Sequence, residues 1–198
     1  MKRIRLGVGA FAFLLLAAST LFSQEQAAAP AYRDGDYWWY RFAGKVYELA
    51  IVEGKLKIFD PKPDQKVAIE GERAEELANL VEIGEAKKDF LDFPLSIGKK
   101  WSSQYDTGKQ RTVRRGGTAT LMRTATSQVT GIEDVKTPAG TFRAFKIERS
   151  ESQRQKDSIS GSLYYSPQTR SVVKYEFALP DKPTRVIELT KYGAAGEK

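Results

Sequence analysis

The sequence contains neither cysteine nor histidine among its 198 residues, and these two absences exclude several classes of function. A chain without cysteine has no disulfide, so it depends on its hydrophobic core and its sheet ladders. Structural zinc sites use cysteine or histidine, and catalytic zinc sites nearly always include histidine. Cysteine proteases and Ser-His-Asp hydrolases are excluded because their catalytic groups are missing. The sequence therefore predicts no metal, no cofactor and no catalytic residues, and we expect the protein not to be an enzyme.

Long apolar runs are also scarce, and the only one stands near the N-terminus. Three basic residues precede an apolar run from residue 6 to about residue 18, and small and polar residues follow it. This three-part layout is typical of a secretory signal peptide, and the run is shorter than the roughly 20 residues that span a bilayer. We expect residues 1–23 to be a signal peptide that is cleaved after Ser23.

The same region predicts where the protein resides. No cysteine follows the apolar run, and a bacterial lipoprotein is acylated on a cysteine at that place. We therefore expect an exported bacterial protein, periplasmic or secreted, that is not anchored as a lipoprotein.

The rest of the chain predicts one domain. Its length suits a single core that buries about 70% of the unfolded surface. The formal net charge of +7 includes three charges of the signal, so the remainder is mildly basic and no nucleic-acid partner is expected. We divide the chain into the signal peptide 1–23, a flexible N-terminal segment 24–36, a single β-rich domain 37–193 and a disordered tail 194–198.

Short runs rich in valine, isoleucine, threonine, tyrosine and phenylalanine alternate with glycine, proline and aspartate from Tyr37 onward. Such a pattern predicts antiparallel strands. "VYELAIV" alternates in polarity, and "EG" at Glu53 and Gly54 turns the chain into "KLKIFD", so a hairpin is predicted in which Leu56 and Ile58 meet the first apolar face. The prolines of "DPKPDQK" are expected to end that second strand.

One helix is predicted, at "GERAEELANLVEIG". Ala74, Leu77, Leu80 and Val81 recur at helical spacing, acidic residues crowd the first turn, and Gly84 suits the C-terminal cap. A helix this short must pack on a sheet. The predicted fold is mostly β: an antiparallel β-barrel, half-barrel or sandwich with one short helix that covers an open edge or mouth.

The stretch "VKTPAGTFRAFKIE" predicts a turn between two long strands. Pro138 presets φ at the first central position, and Gly140 supplies the left-handed residue of a bulged three-residue loop. Phe142 and Phe145 fall on opposite faces, so the sheet near this loop is expected to be covered on both sides. Pro138 and Gly140 are therefore interpreted as structural.

Three stretches also carry a resemblance: "FPLSIGKKW", "VKTPAGTFRAFKI" and "LYYSPQTRSVVKY". In this order and spacing they resemble recurring motifs of exported bacterial proteins that are grouped as domains of unknown function. The resemblance covers roughly residues 93–175 and implies a β-rich envelope protein without an assigned activity. The sequence departs from the pattern after "SPQT", where a glycine is common in such proteins but Arg170 and Ser171 stand here.

Two patterns of catalytic residues have weak support. "SIGK" matches the S-x-x-K motif, but Pro94 and Gly98 argue against the helical turn that would bring Ser96 and Lys99 together. Close carboxylate pairs lie on or just after the predicted helix, where acids usually form a solvated face. A carboxylate-based glycan hydrolase, which needs two carboxyl groups across a cleft, is therefore the least favoured function.

A basic segment is the most uneven local feature of the sequence. Its residues are Lys109, Arg111, Arg114, Arg115 and Arg123. Such a patch could meet an anionic surface or an envelope protein. The alternative is a charged edge strand that discourages pairing between sheets.

An aromatic cluster, "YWWYRF", supplies the candidate ligand-lining residues. Alternation sends Trp38, Tyr40 and Phe42 to one face and Trp39 to the other. Together with two later tyrosines, the candidates are Trp38, Trp39, Tyr40, Tyr164 and Tyr165. They would line a cavity for a lipid, another apolar small molecule or a sugar, or they would simply pack in the core.

The sequence thus predicts an exported, non-catalytic binding or envelope-assembly protein that holds an apolar ligand. The alternative is a structural interaction domain with a closed core, which would bind a protein partner through its surface.

Overall fold

The computed structural model describes residues 25–62, 65–81, 90–112, 118–152 and 158–195, with side chains except at 61, 62, 65, 72 and 107–121. Within these ranges the chain is mostly antiparallel β-structure with one short helix, which confirms the predicted fold class. The strands are β1 (Gln26–Ala27), β2 (Tyr37–Phe42), β3 (Lys45–Val52), β4 (Lys55–Lys62), β5 (Gln65–Ala68), β6 (Leu95–Ser96), β7 (Lys100–Thr112), β8 (Thr118–Thr137), β9 (Gly140–Ser152), β10 (Ile159–Ser166), β11 (Ser171–Ala178) and β12 (Arg185–Gly193). The helix α1 (Glu72–Ala78) continues into a 3-10 turn, Asn79–Val81.

Ten of these strands form one open sheet in the order β5-β4-β3-β2-β12-β11-β10-β9-β8-β7, and β1 pairs with β6 separately. The described strands do not close into a full barrel, because β5 and β7 lie at opposite edges. The sheet nevertheless curls strongly. Although three strands separate β8 from β12, the amide of Ala139 at the end of β8 donates to the carbonyl of Leu189 in β12 at 3.2 Å.

The two faces of the sheet differ in what covers them. We call the face that packs against α1 and forms the core the inner face. The outer face is the opposite side of the sheet. In β2, Trp38, Tyr40 and Phe42 share one face, as the alternation predicts; this is the inner face, and each of the three is at most 1% exposed. The Arg73 guanidinium of α1 lies 4.4 Å from the centre of the Phe42 ring, so the helix covers this part of the inner face.

The predicted β3–β4 hairpin is confirmed. Glu53 and Gly54 join the strands with φ of 56° and 70°, and two central residues with positive φ are typical of the type I′ turn that matches strand twist. Across the hairpin, Leu56 pairs with Ile51 and Ile58 pairs with Leu49. The apolar faces of the two strands therefore coincide.

The prolines of "DPKPDQK" were predicted to end β4, and the strand does end within that stretch, at Lys62, but it passes through Pro61. It pairs with β5, which precedes the helix. The ladder between β4 and β3 ends at Phe59, so Pro61 removes no donor from that ladder.

The helix buries the residues that its periodicity indicates. Leu77, Leu80 and Val81 are fully buried, and Ala74 packs against the core. The last turn tightens into the 3-10 turn, and the predicted cap, Gly84, lies outside the described residues. None of the helices in the described ranges is long and apolar enough to cross a membrane.

The turn at Pro138 and Ala139 is tighter than predicted. Thr137 pairs directly with Gly140, so the loop has two residues rather than three. Gly140 has a φ of 139°, outside the compact left-handed region but still in a range that favours glycine. Phe142 and Phe145 are both buried, which confirms that the sheet is covered on both sides here.

Both ends of the predicted domain carry additional structure. Within the segment 24–36, predicted to be flexible, Gln26–Ala27 pairs with Leu95–Ser96 and Asp36 is buried. At the other end, the Ala195 amide donates to Asp36 Oδ1 at 3.0 Å. Residues 196–198 lie outside the described ranges.

Candidate functional site

Four of the five aromatic candidates, all except Trp39, are buried members of the hydrophobic core. Trp38 and Tyr40 belong to the inner face, where their polar atoms have partners: Trp38 Nε1 donates to the Thr169 carbonyl at 2.7 Å, and the Tyr40 hydroxyl donates to the Val172 carbonyl at 2.8 Å. Burial raises the pKa of Tyr40 above its ordinary value. These two residues therefore act as core residues that also fix the β10–β11 turn.

The other three aromatic candidates lie in different surroundings. Tyr165 is buried at a bulge of β10, with its ring 5.2 Å from that of Phe93. Trp39 and Tyr164 lie on the outer face, on strands separated by β11 and β12. Two clefts, of about 440 and 680 Å³, occur in the described structure, and neither is lined by any of the five residues. A shared aromatic wall for an apolar ligand is thus not part of the described structure.

The basic candidates are only partly described. Lys109 and Arg111 belong to β7, which is an edge strand, as the alternative interpretation of this segment requires. Arg114 and Arg115 lie outside the described residues. Arg123 is engaged elsewhere, because its guanidinium lies 3.7 Å from a carboxylate oxygen of Glu151.

A buried polar cluster on the inner face was missed by the sequence reasoning. Arg149 and Glu151 of β9 are each 4% exposed, and Arg149 Nε donates to Glu151 Oε1 at 2.9 Å. The Tyr105 hydroxyl donates to the other oxygen of Glu151, and Arg149 also donates to Ser127 Oγ at 3.1 Å. Burial and the hydrogen bond to Glu151 raise the pKa of Tyr105. The cluster joins β7, β8 and β9 beneath the ring of Phe90, which lies 4.6 Å from the Arg149 guanidinium.

A second polar cluster holds the two ends of the domain together. Asp36 Oδ2 accepts from the amide of Arg33 at 2.8 Å and lies 2.8 Å from Arg170 NH1. Arg170 also donates to the carbonyl of Ala31 at 2.7 Å. Burial alone would raise the pKa of Asp36, but hydrogen bonds from Arg170, Ala195 and Arg33 outweigh it and lower that pKa. A cleft of about 440 Å³ lies beside this cluster.

The outer face carries a larger groove, of about 680 Å³, that crosses β7, β8, β9 and β10. One wall is a row of hydroxyl side chains aligned by the strand register, and the other wall is a parallel row of longer polar side chains. The hydroxyl row is Ser102, Thr126, Ser150 and Ser160, and the longer row is Lys100, Gln128 and Glu148. The Thr126 and Ser150 hydroxyls are hydrogen-bonded at 2.9 Å.

The outer face of β2, β3 and β4 presents another arrangement, which we call the Glu48 row: Trp39, Glu48 and Phe59, which are direct register partners. Glu48 Oε1 lies 2.7 Å from Lys66 Nζ. Its other oxygen, Oε2, is buried and has no hydrogen-bond partner among the described residues. Lys191 Nζ lies 5.5 Å from the centre of the Trp39 ring.

The S-x-x-K segment forms a turn. Ser96 belongs to β6 and its carbonyl accepts from the amide of Lys99 at 3.1 Å. Lys99 Nζ pairs with the carboxylate of Asp92 at 3.0 Å. In the described ranges, no three acidic side chains are grouped as a metal site would require.

Comparison with known proteins finds distant structural alignments only. No family model matches the sequence, and no curated protein matches it. The hypothetical lipoprotein YmcC from Escherichia coli (K12) aligns with a TM-score of 0.38 and 10% identity over 85% of this chain and 92% of its own. An exported protein with a YmcC-like fold from Bacteroides fragilis NCTC 9343 aligns with a TM-score of 0.38 and 11% identity over 84% and 99%.

The two structures are described as a lipoprotein and as an exported protein. We expected an exported bacterial protein that is not anchored as a lipoprotein, and the description of the first structure does not support the second half of that expectation.

Proposed function

We propose that the protein is an exported, non-catalytic binding protein whose ligand occupies the cross-strand groove on the outer face of the sheet. The observation that carries this proposal is the pair of polar rows that wall the groove across four neighbouring strands. Its volume of about 680 Å³ falls in the range of small-molecule sites. Hydroxyl, amide, ammonium and carboxylate groups provide both donors and acceptors, so the ligand is a polar molecule.

The composition of the groove supports binding rather than hydrolysis. Glu148 is the one carboxylate among the residues that line it, whereas a glycosidase needs two carboxyl groups placed across the bond that it cleaves. Glu148 also accepts a hydrogen bond from Ser162 at 2.9 Å and lies 3.3 Å from Lys146 Nζ. These contacts engage both of its carboxylate oxygens within the sheet.

The closed-core alternative has its own support. The aromatic residues of β2 satisfy their polar atoms within the fold, and the edge strand β7 carries Lys109 and Arg111. In this second proposal, β7 and the basic segment that follows it meet an anionic envelope protein or lipid surface, and the sheet serves only as a scaffold.

Native mass spectrometry of the protein purified from its own envelope distinguishes the groove proposal from the closed-core alternative. A second sample is extracted with organic solvent. We expect a polar molecule that is retained in aqueous buffer and lost in Thr126→Tyr, which fills the groove. The matched control is Thr124→Tyr, on the same strand and face but outside the groove lining. It should keep the molecule.

The other outcomes separate the alternatives. A stoichiometric lipid in the organic extract would overturn the groove proposal and support the apolar carrier that the sequence suggests. An empty protein, unaffected by either variant, would favour the interaction domain.

A further inference from the structure

Glu48 is a charged residue that is buried on the outer face of the sheet. Its side chain is 7% exposed, although it lies on the outer face of β3. One oxygen pairs with Lys66, and the other has no hydrogen-bond partner among the described residues. A buried carboxylate oxygen without a donor is costly, so such a group often indicates where a ligand donates.

The neighbours of Glu48 restrict the chemistry of that donor. Trp39 precedes it and Phe59 follows it across the sheet. Strands lie about 4.8 Å apart, so the two aromatic side chains flank the carboxylate at one strand spacing on each side. Lys191 Nζ lies 5.6 Å from the Tyr37 ring, and Lys66 Nζ lies 5.7 Å from the Phe59 ring. The row thus presents two aromatic ring surfaces with one hydrogen-bond acceptor between them, and cationic donors border it.

We propose that the Glu48 row binds a glycan chain. A sugar ring offers an apolar C–H face to an aromatic side chain and hydroxyl groups around its rim, so aromatic rings and a carboxylate engage it together. Glu48 Oε2 accepts a sugar hydroxyl once the side chains that cover it move aside. Trp39 and Phe59 contact the ring faces, and Lys66 and Lys191 donate to sugar oxygens or to an acidic sugar.

Two other classes of ligand fit the row less well. A lipid chain would leave Glu48 Oε2 without a donor. An amine or other organic cation would meet the ammonium groups of Lys66 and Lys191, which already border the row. From β12 to β4 the row covers three strand spacings, about 14 Å, which suits a short stretch of an extended chain.

This site is separate from the groove, and the inference does not depend on the proposed function. The groove lies on β7 to β10, whereas the Glu48 row lies on β2, β3 and β4 beside β12. Variants in the groove can therefore be tested without altering the Glu48 row, and variants in the row without altering the groove.

The test is calorimetric titration of the full protein with a panel of neutral and uronate-containing oligosaccharides of four to six units. We expect at least one oligosaccharide to bind. Glu48→Gln, which keeps the side-chain shape, and Trp39→Ala should each weaken binding at least tenfold. Tyr164→Phe changes an aromatic side chain on the same face outside the row and keeps its ring, so it should leave the affinity unchanged.

Thermal unfolding of each variant identifies losses of affinity that are caused by misfolding. Trp39→Phe keeps an aromatic ring and should recover part of the affinity that is lost in Trp39→Ala. The inference is overturned if no oligosaccharide of the panel binds at millimolar concentration, or if binding survives in both folded row variants. If Thr126→Tyr abolishes glycan binding while the row variants retain it, the groove is the glycan site and the Glu48 row is not.

Discussion

Trp38 and Trp39 are neighbours in the chain that face opposite sides of β2. Trp38 is 1% exposed, and its indole donates a hydrogen bond to the Thr169 carbonyl. The main-chain carbonyl of Trp39 accepts a hydrogen bond from Thr190 at 3.1 Å, and the ring of Trp39 lies near Lys191. The side chain of Trp38 therefore contributes to the core, and that of Trp39 to the outer surface.

Phenylalanine substitutions should separate these roles. Trp38→Phe leaves the buried Thr169 carbonyl without its donor and leaves a small cavity, so we expect the free energy of unfolding to fall by about 2–4 kcal/mol. Trp39→Phe should cost less than about 1 kcal/mol. Urea unfolding monitored by circular dichroism measures both. Equal losses would show that Trp39 is also a core residue.

Arg170 shows how one residue can combine backbone strain with a useful side chain. Its φ of 56° lies in the left-handed region, which costs a non-glycine residue roughly 1–2 kcal/mol. The related motif commonly has a glycine after "SPQT", and the structure keeps at Arg170 a conformation that glycine would favour. In return, its guanidinium reaches Asp36 and the carbonyl of Ala31.

At the scale of elements, the turn between β8 and β9 depends on Gly140. Its φ of 139° is unfavourable for any side chain, and the neighbouring amide of Ala139 bonds to Leu189 in β12. A change at this turn therefore disturbs both the hairpin and its contact with another part of the sheet.

Two glycine variants on the same hairpin test this dependence. Gly140→Ala should lower the free energy of unfolding by about 1–3 kcal/mol because it forces alanine into a strained conformation. Gly131→Ala is the control, since a Cβ there would meet nothing within 4 Å, and its effect should be smaller than about 1 kcal/mol. Chemical unfolding of both proteins measures the difference, and similar values would argue against strain at Gly140.

The long strand β9 illustrates what periodicity reveals and what it leaves open. In "FKIERSES", Ile147, Arg149 and Glu151 share one face, and the structure buries all three. The alternation is readable from the sequence, but charged side chains at such positions are ordinarily exposed. Only the packing of β7 and β8 against β9 supplies the partners Tyr105 and Ser127 that make their burial tolerable.

At the scale of the whole molecule, Asp36 connects the two ends of the domain. Its carboxylate binds the amide of Ala195 near the C-terminus, the amide of Arg33 and the guanidinium of Arg170. These partners lower the pKa of Asp36 below its ordinary value. The stabilisation that they provide is therefore complete above the ordinary pKa of aspartate and is lost as the pH falls through the lowered pKa of the folded state.

Asp36→Asn should remove this pH-dependent contribution to the free energy of unfolding. At neutral pH we expect the free energy of unfolding to fall by about 1–3 kcal/mol, since a charge-assisted hydrogen-bond network is broken. As the pH falls below 4, the difference between the two proteins should shrink. Urea unfolding at several pH values tests this, with Asp34→Asn as an exposed control. If the difference in the free energy of unfolding between the two proteins stays constant across the acidic pH range, the pH-dependent stabilisation does not come from Asp36.

The sequence by itself determined the fold class, the hairpin at Glu53 and Gly54, the grouping of Trp38, Tyr40 and Phe42 on one face of β2, and the apolar face of the helix. These features depend on local periodicity and on residues with restricted φ, so each is encoded within a few neighbouring positions. For the same reason, the turn at Pro138 was recognised, although its loop is one residue shorter than predicted.

The tertiary structure alone decided the order of the strands and the surfaces that result from it. Placing β12 between β2 and β11 brings Lys191 to Trp39 and Leu189 to Ala139, although more than forty residues separate each pair. The strand register, likewise, aligns the groove rows and sets Glu48 between two aromatic side chains. Such contacts depend on how distant segments pair, and no local pattern in the chain specifies that pairing.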